Sequence, residues 1–417
     1  MPTPIPSGKI REEVRRAVQD CPVLDIHTHL YDLPFGSLLL WGIDELLTYH
    51  YLVAEVFRAA PMPYEKFWAM SKVEQADHIW KHLFLERSPV SEACRGVLTV
   101  LQELGLDVAS RDLKSYRQFF RATNAREHVD RVFKTANLRA VVMTNDPFDP
   151  LERSVWEKGV ELDPRWKAVL RMDPILINWE TTSEILQSWG YQAFHSLDED
   201  SQKEVRRFLS DWIAKMKPVY MAVSLTPEFY FPDFSTGTTL LDRCILPVAR
   251  EHNLPFAMMI GVKRQANPAL KLAGDAVGRS DVSSVERICA RYPENKFLVT
   301  MLARENQHEL CVAARKFHNL MIFGCWWFTN NPSIIEEITR QRVELLGLTM
   351  IPQHSDARVL DQVLYKWKHS KAIIAHVLAD KYEDIDRSGW RVTREEIERD
   401  AALLFGGNFE KFLDLKL

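Results

Sequence analysis

NKFLVTMLARENQHELCVAARKFHNLMIFGC, residues 295–325, holds the fold in miniature. A short, partly β-branched apolar run (295–302) is followed by ELCVAARKF, whose apolar residues recur at three- and four-residue spacing. A second apolar run, NLMIFGC (319–325), comes next. Short apolar runs bounded by polar residues read as buried strands, and the spacing between them reads as helix. Two strands joined through a helix need a crossover and therefore lie parallel.

Outward from this unit the rhythm repeats. Upstream lie LRAVVMT (138–144), WKAVLRM (166–172), VYMAVSL (219–225) and LPFAMMI (254–260), and downstream lies LGLTMIP (346–352). The segment from Val23 to His29 adds one more near the start. Helical stretches such as SQKEVRRFLSDWIAKM, LLDRCILPVAREH, VSSVERICARY and IIEEITRQRVELL separate most of these runs. Eight strands alternating with helices predict an α/β chain built as a closed (β/α)8 barrel of the TIM type, an architecture of about 250 residues. The 417-residue chain exceeds that. The excess lies after the first strand, where GIDELLTYHYLVAEVFRAA, VEQADHIWKHLFL and SEACRGVLTVLQELGL are all helix-patterned. The expected organisation is barrel strand one with an N-terminal helix (1–32), a helical insertion (33–137), and the rest of the barrel with C-terminal helices (138–417). An open doubly wound sheet is the alternative, although no G-x-G-x-x-G follows any strand.

Composition narrows the function classes. Hydrophobic residues are 46% and charged residues 26%, as in ordinary globular chains, which excludes a disordered or collagen-like protein. The net charge is −4 with no long Lys/Arg run, so nucleic-acid binding lacks electrostatic support. Six cysteines without a C-x-x-C pair argue against a thiolate zinc finger and fit a reducing compartment. The N-terminus lacks the apolar core of a signal peptide, and no stretch reaches the ~18 apolar residues of a membrane span. The expected location is cytoplasmic, with no membrane partner. A homo-oligomer is compatible with the insertion, since exposed helical insertions often mediate contacts.

In a barrel of this kind, chemistry sits at the carboxyl ends of the strands. Strand one ends Asp25-Ile26-His27-Thr28-His29, and a two-residue period puts Asp25, His27 and His29 on one face. Neutral imidazole is a common metal ligand, so His27 and His29 are candidate ligands; the alternative is a hydrogen-bonded structural pair. The last strand runs into Gln353-His354-Ser355-Asp356-Ala357-Arg358, next to strand one in a closed barrel. Asp356 is the candidate third ligand, or else the N-cap of the helix that follows. His354 reads equally as a further ligand and as a loop residue. Arg171, Lys263, Arg264, Arg304 and Arg358 crowd the strand ends, suggesting a mouth for an anionic substrate such as a carboxylate. Trp326 and Trp327 offer an aromatic wall for a sugar face, or pack against neighbouring loops.

These residues, in this order, resemble the amidohydrolase superfamily, and within it the uronate isomerase (glucuronate isomerase) family. The resemblance rests on Asp25-x-His27-x-His29-Leu30, Thr144-Asn145-Asp146-Pro147, Arg171-Met172-Asp173, Gly324-Cys325-Trp326-Trp327-Phe328, Asp356-Ala357-Arg358, and Arg399-Asp400-Ala401 with Gly407-Asn408. It spans nearly the whole chain. Tyr51 is similar to the family's insertion tyrosine, with Tyr49 standing where the family has aspartate, and Arg58 is similar to an arginine of that segment. The departures lie elsewhere. Met258-Met259-Ile260-Gly261 replaces a histidine-containing strand-five segment, Val223-Ser224-Leu225-Thr226 lacks an Asp-His, and the pattern after strand six is reduced to Arg304-Glu305-Asn306.

The resemblance implies a divalent metal, zinc as the first expectation, on His27, His29 and Asp356. It implies proton transfer between C1 and C2 of a small anionic sugar acid through an enediol. Asp356, or a hydroxide on the metal, is then the candidate base, Arg358 faces the substrate with Arg171 or Arg304, and Tyr51 shuttles a proton. Two other functions use the same residues: a metal-dependent hydrolase or lactonase, and a sugar-acid binding protein without turnover.

Overall fold

A computed structural model describes residues 4–417. Seven parallel strands and one bridging segment are arranged around an axis. They are β1 (Val23–Thr28), β2 (Leu138–Met143), β3 (in two pieces, Trp166–Lys167 and Leu170–Arg171), β4 (Met221–Leu225), β5 (Phe256–Ile260), β6 (Phe297–Met301) and β7 (Leu320–Ile322). Each neighbour pair runs parallel, in the order in which the strands occur in the chain.

At the eighth position the expected strand over 346–352 shrinks to a single bridge, Phe323 to Ile351. Its first residues belong instead to the end of the helix Pro332–Leu346, capped by Gly347 at φ 62°. The ring is carried across this position by backbone hydrogen bonds. Ile351 N donates to Ile322 O (3.1 Å) and Gly324 N to Ile351 O (2.9 Å) on one side; Asp356 N donates to His27 O (3.1 Å) and His29 N to Ala357 O (2.7 Å) on the other.

Two apolar layers follow from strand alternation. Leu24, Ile26, Ala222, Ala257, Met259, Leu298 and Phe323 fill the inside of the ring. Met221, Val223, Met258, Ile260, Val299 and Ile322 face the surrounding helices. Phe409 and Leu413 of the helix Asn408–Leu413 pack into the inner layer and close the end opposite the site. The stretch between β1 and β2 contains helices, including His50–Ala59 and Ala125–Thr135, and no strand. No helix among the described residues is long and apolar enough to cross a membrane.

One expectation about β1 is corrected. Asp25 does not share a face with His27 and His29. The β1–β2 register shifts between Asp25 and Thr28, and such an irregularity breaks the two-residue period. Asp25 turns to the helix layer, where it accepts from Trp367 Nε1 at 2.8 Å and from Ser355 N at 3.0 Å.

Candidate active site

The mouth of the ring is a pocket lined by residues from six strands or the turns after them, from the eighth segment and from the helix His50–Ala59. His27 and His29 come from β1 and Asp356 from the eighth segment. Asp356 Oδ1 lies 3.6 Å from His27 Nε2 and 3.3 Å from His29 Nε2. These three residues are the one His/Cys/Asp/Glu group with metal-holding spacing among the described residues, their ligand atoms all within 4.8 Å of one another. The N-cap alternative for Asp356 does not apply, because the next helix begins only at Gln362 with Asp361 at its cap position.

Hydrogen bonding prepares both imidazoles for a cation. Tyr220 Oη donates to Ile26 O (2.9 Å), so its lone pair is left to accept from His27 Nδ1 (3.2 Å). Thr144 Oγ1 donates to Thr28 O (2.9 Å) and accepts from His29 Nδ1 (2.9 Å) in the same way. Each ring therefore carries its proton on Nδ1 and turns a bare Nε2 lone pair to the pocket, the usual second contact of a metal-binding histidine. Burial holds His27 neutral, its pKa pulled down to about 3, with His29 adding to the shift; His29 is held well below its ordinary value by burial and by the nearby arginines. His27 Nε2 and Asp356 Oδ1 are buried and have no hydrogen-bond partner among the described residues. Buried polar atoms are rarely left so. Two neutral imidazole nitrogens and a carboxylate oxygen are a donor set that zinc accepts, with coordination positions to spare. The residues present fit a divalent metal.

His354 is not part of this set. Fully buried, it lies under His27 (ring centroids 5.1 Å) and against Phe323 (5.3 Å), with both ring nitrogens unpartnered.

Positive charge dominates the rest of the pocket. Arg171, Arg264 and Arg358 all line it. Arg171 is held by Asp173 and lies 3.5 Å from Ser224 Oγ, and Arg264 Nη1 is bound to Asp275 at 2.7 Å. Arg358 has no carboxylate partner among the described residues, which leaves its fork open for a bidentate anion. Trp326 and Trp327 form one wall, and Trp327 sits at φ 46°, a left-handed conformation that a bulky residue adopts only where its surroundings hold it.

Tyr51 lies behind His50, ring centroids 4.6 Å apart, and its buried hydroxyl is unpartnered. Arg304 is not brought to the site. It is exposed and pairs with Glu337 at 2.9 Å, because the turn Arg304–Asn306 directs it away from the mouth. Arg304→Ala is expected to leave kcat and KM within about twofold of wild type in a steady-state assay, as exposed pairs contribute little.

Sequence reasoning named neither His50 nor Thr144 nor Ser224 as a site residue, and all three line the pocket. The His50-Tyr51 pair and the Thr144 and Ser224 positions at strand ends were the available signals. Tyr220, which orients His27 from inside the ring, had none. Tyr220→Phe is expected to weaken zinc binding by about 10- to 100-fold, the usual cost of losing such a contact, with the fold retained; a competition titration with a chromophoric chelator measures it.

Known proteins bear on this geometry. A crystal structure of a uronate isomerase from Bacillus halodurans superposes with a TM-score of 0.98 at 58% identity, covering 99% of this chain and 98% of that one. The chain belongs to the uronate isomerase family. More distant members keep the fold. A uronate isomerase from Thermotoga maritima aligns at 15% identity and TM-score 0.76, over 99% of this chain and 98% of its own. A glucuronate isomerase from Caulobacter crescentus aligns at 14% identity and 0.79, over 99% and 95%. No protein-family model matches the chain, and no curated protein sequence matches it.

Proposed function

We propose that the chain is a metal-dependent uronate isomerase that interconverts the aldose and ketose forms of a uronic acid of the glucuronate or galacturonate type. The observation that carries this reading is the full-length likeness, at 58% identity, to a uronate isomerase. The pocket supports it with three neighbouring donor atoms and with Arg358, which has no carboxylate partner among the described residues.

The residues divide the work by chemistry. The open guanidinium of Arg358, with Arg171 beside it, binds the substrate carboxylate. Trp326 and Trp327 pack on a face of the sugar and keep water out. The Asp356 carboxylate takes the proton from C2 and returns it at C1 through an enediol. His50, held neutral by burial, lines the pocket beside the sugar oxygens, and Tyr51, its hydroxyl kept protonated by burial well above the ordinary range, stands behind it as the proton donor. His27, His29 and Asp356 would hold the divalent ion, zinc by expectation. When bound, it supplies Lewis-acid polarisation of the sugar oxygens. The helical segment 33–137 acts as an inserted unit whose part in this scheme is to bring His50 to the mouth with Tyr51 behind it.

The test is direct. Zinc-loaded protein is incubated with glucuronate, galacturonate and representative sugar lactones, and products are followed by proton and carbon NMR. Ketose formation from a uronate is the expected result. Acid from a lactone without ketose would assign a hydrolase instead, and uronate binding with neither product would assign a binding protein.

A further inference from the structure

Behind the segment that carries Asp356, and not among the pocket-lining residues, Lys366 is buried without an acid to pair it among the described residues. It is 3% exposed, on the helix Gln362–Arg387, and forms no salt bridge among the described residues. Its Nζ donates to Ser355 O at 2.6 Å and lies 5.9 Å from the centre of the Tyr51 ring. A buried ammonium is costly unless its charge and donors are met, so this placement needs a reason.

The peptide that it grips leads straight into Asp356. Ser355 N donates to Asp25 Oδ1 (3.0 Å), and the other oxygen of that carboxylate accepts from Trp367, the neighbour of Lys366 on the same helix. Residue 355 is thus held at its N–H by β1 and at its carbonyl by the last long helix, with a longer second bond from Asn330 Nδ2 (3.4 Å). Asp356 follows at φ 51°. Aspartate tolerates this left-handed region better than most residues, and in this conformation Oδ1 lies 3.6 Å from His27 Nε2 and 3.3 Å from His29 Nε2.

We propose that Lys366 is a positioning residue for the metal-and-base centre. Through Ser355 O it holds Asp356 in its left-handed conformation, and its charge under the Tyr51 ring ties the inserted helix to the same point. The kinetic half of this inference rests on the isomerase reading; the metal-binding half does not.

The test compares Lys366→Met, which keeps length and apolar bulk, and the milder Lys366→Gln, which keeps a shorter donor. Three quantities are measured for each folded variant: zinc affinity of the metal-free protein by chelator competition, kcat and KM on a uronate, and the thermal midpoint. For Lys366→Met, zinc affinity and kcat are each expected to fall at least about tenfold, with KM within about threefold. The midpoint stays level or rises, since replacing a buried charge by an apolar group often stabilises. Lys366→Gln is expected to fall between, about three- to tenfold down in both. Zinc affinity and kcat within twofold of wild type in either folded variant overturn the proposal, as does a kcat loss that only follows the loss of folded protein. If Lys366→Met does not fold, the Gln variant decides alone. Wild-type protein that binds zinc but forms no ketose would sink the isomerase reading and leave the zinc comparison standing.

Discussion

Replacing Asp356 by asparagine is expected to lower kcat on an accepted uronate by about a thousandfold, within the range spanned by loss of a general base. The substitution is nearly isosteric, so circular dichroism and the thermal midpoint should stay close to wild type. Two functions are lost together. The amide cannot accept a proton from carbon, and it removes the charge that lies 3.3 and 3.6 Å from two neutral imidazole nitrogens. Zinc content after dialysis is therefore expected to fall with turnover. A kcat within tenfold of wild type, read by NMR from ketose formation, rejects Asp356 as base.

A second large effect is expected at a residue with no functional group. Gly324 sits at φ 65°, and a Cβ built there would stand 1.7 Å from His354 Nδ1 and 2.3 Å from Cε1. The His354 ring has nowhere to go, being packed on Phe323 and His27. Gly324→Ala is thus expected to cost about 3 kcal/mol, the scale of overpacking added to a backbone that disfavours a side chain. It should also cut turnover, because the displaced ring presses on a metal ligand. Urea denaturation measures the first and steady-state kinetics the second. The double change Gly324→Ala with His354→Ala removes the clash, and it should recover part of the stability lost by the glycine change alone; strict additivity of the two single effects would show that contact does not matter.

Much of the site was legible before the fold was known, for a chemical reason. His27, His29, Asp356, Arg358, Arg171, Trp326 and Trp327 occupy strand ends, and a strand end in a barrel has one address, the mouth. Arg304 shares that address in sequence but not in space, because a short 3-10 turn after β6 carries it outward to Glu337. A turn of three residues changes direction without changing composition, so nothing in the chain announces it. Asp25 illustrates the same limit within a strand. Alternation predicts that it faces with the histidines, and a register shift sends it to Trp367 instead.

The amino-acid sequence by itself determined the alternation of strands and helices, the helical stretch after the first strand, and the residue types able to bind a cation and an anionic sugar. Periodicity and side-chain chemistry are local properties, and they survive in one dimension. Only the tertiary structure decided which ring nitrogen of each imidazole carries the proton, that among the described residues Arg358 is left unpaired while Arg171 and Arg264 are not, and that a buried lysine and a glycine without room for a methyl group stand behind Asp356 and His27. Those outcomes depend on which side chains meet in space, as His27 meets Tyr220 across 193 positions and His29 meets Thr144 across 115, so what matters is the distance across the ring rather than the distance along the chain.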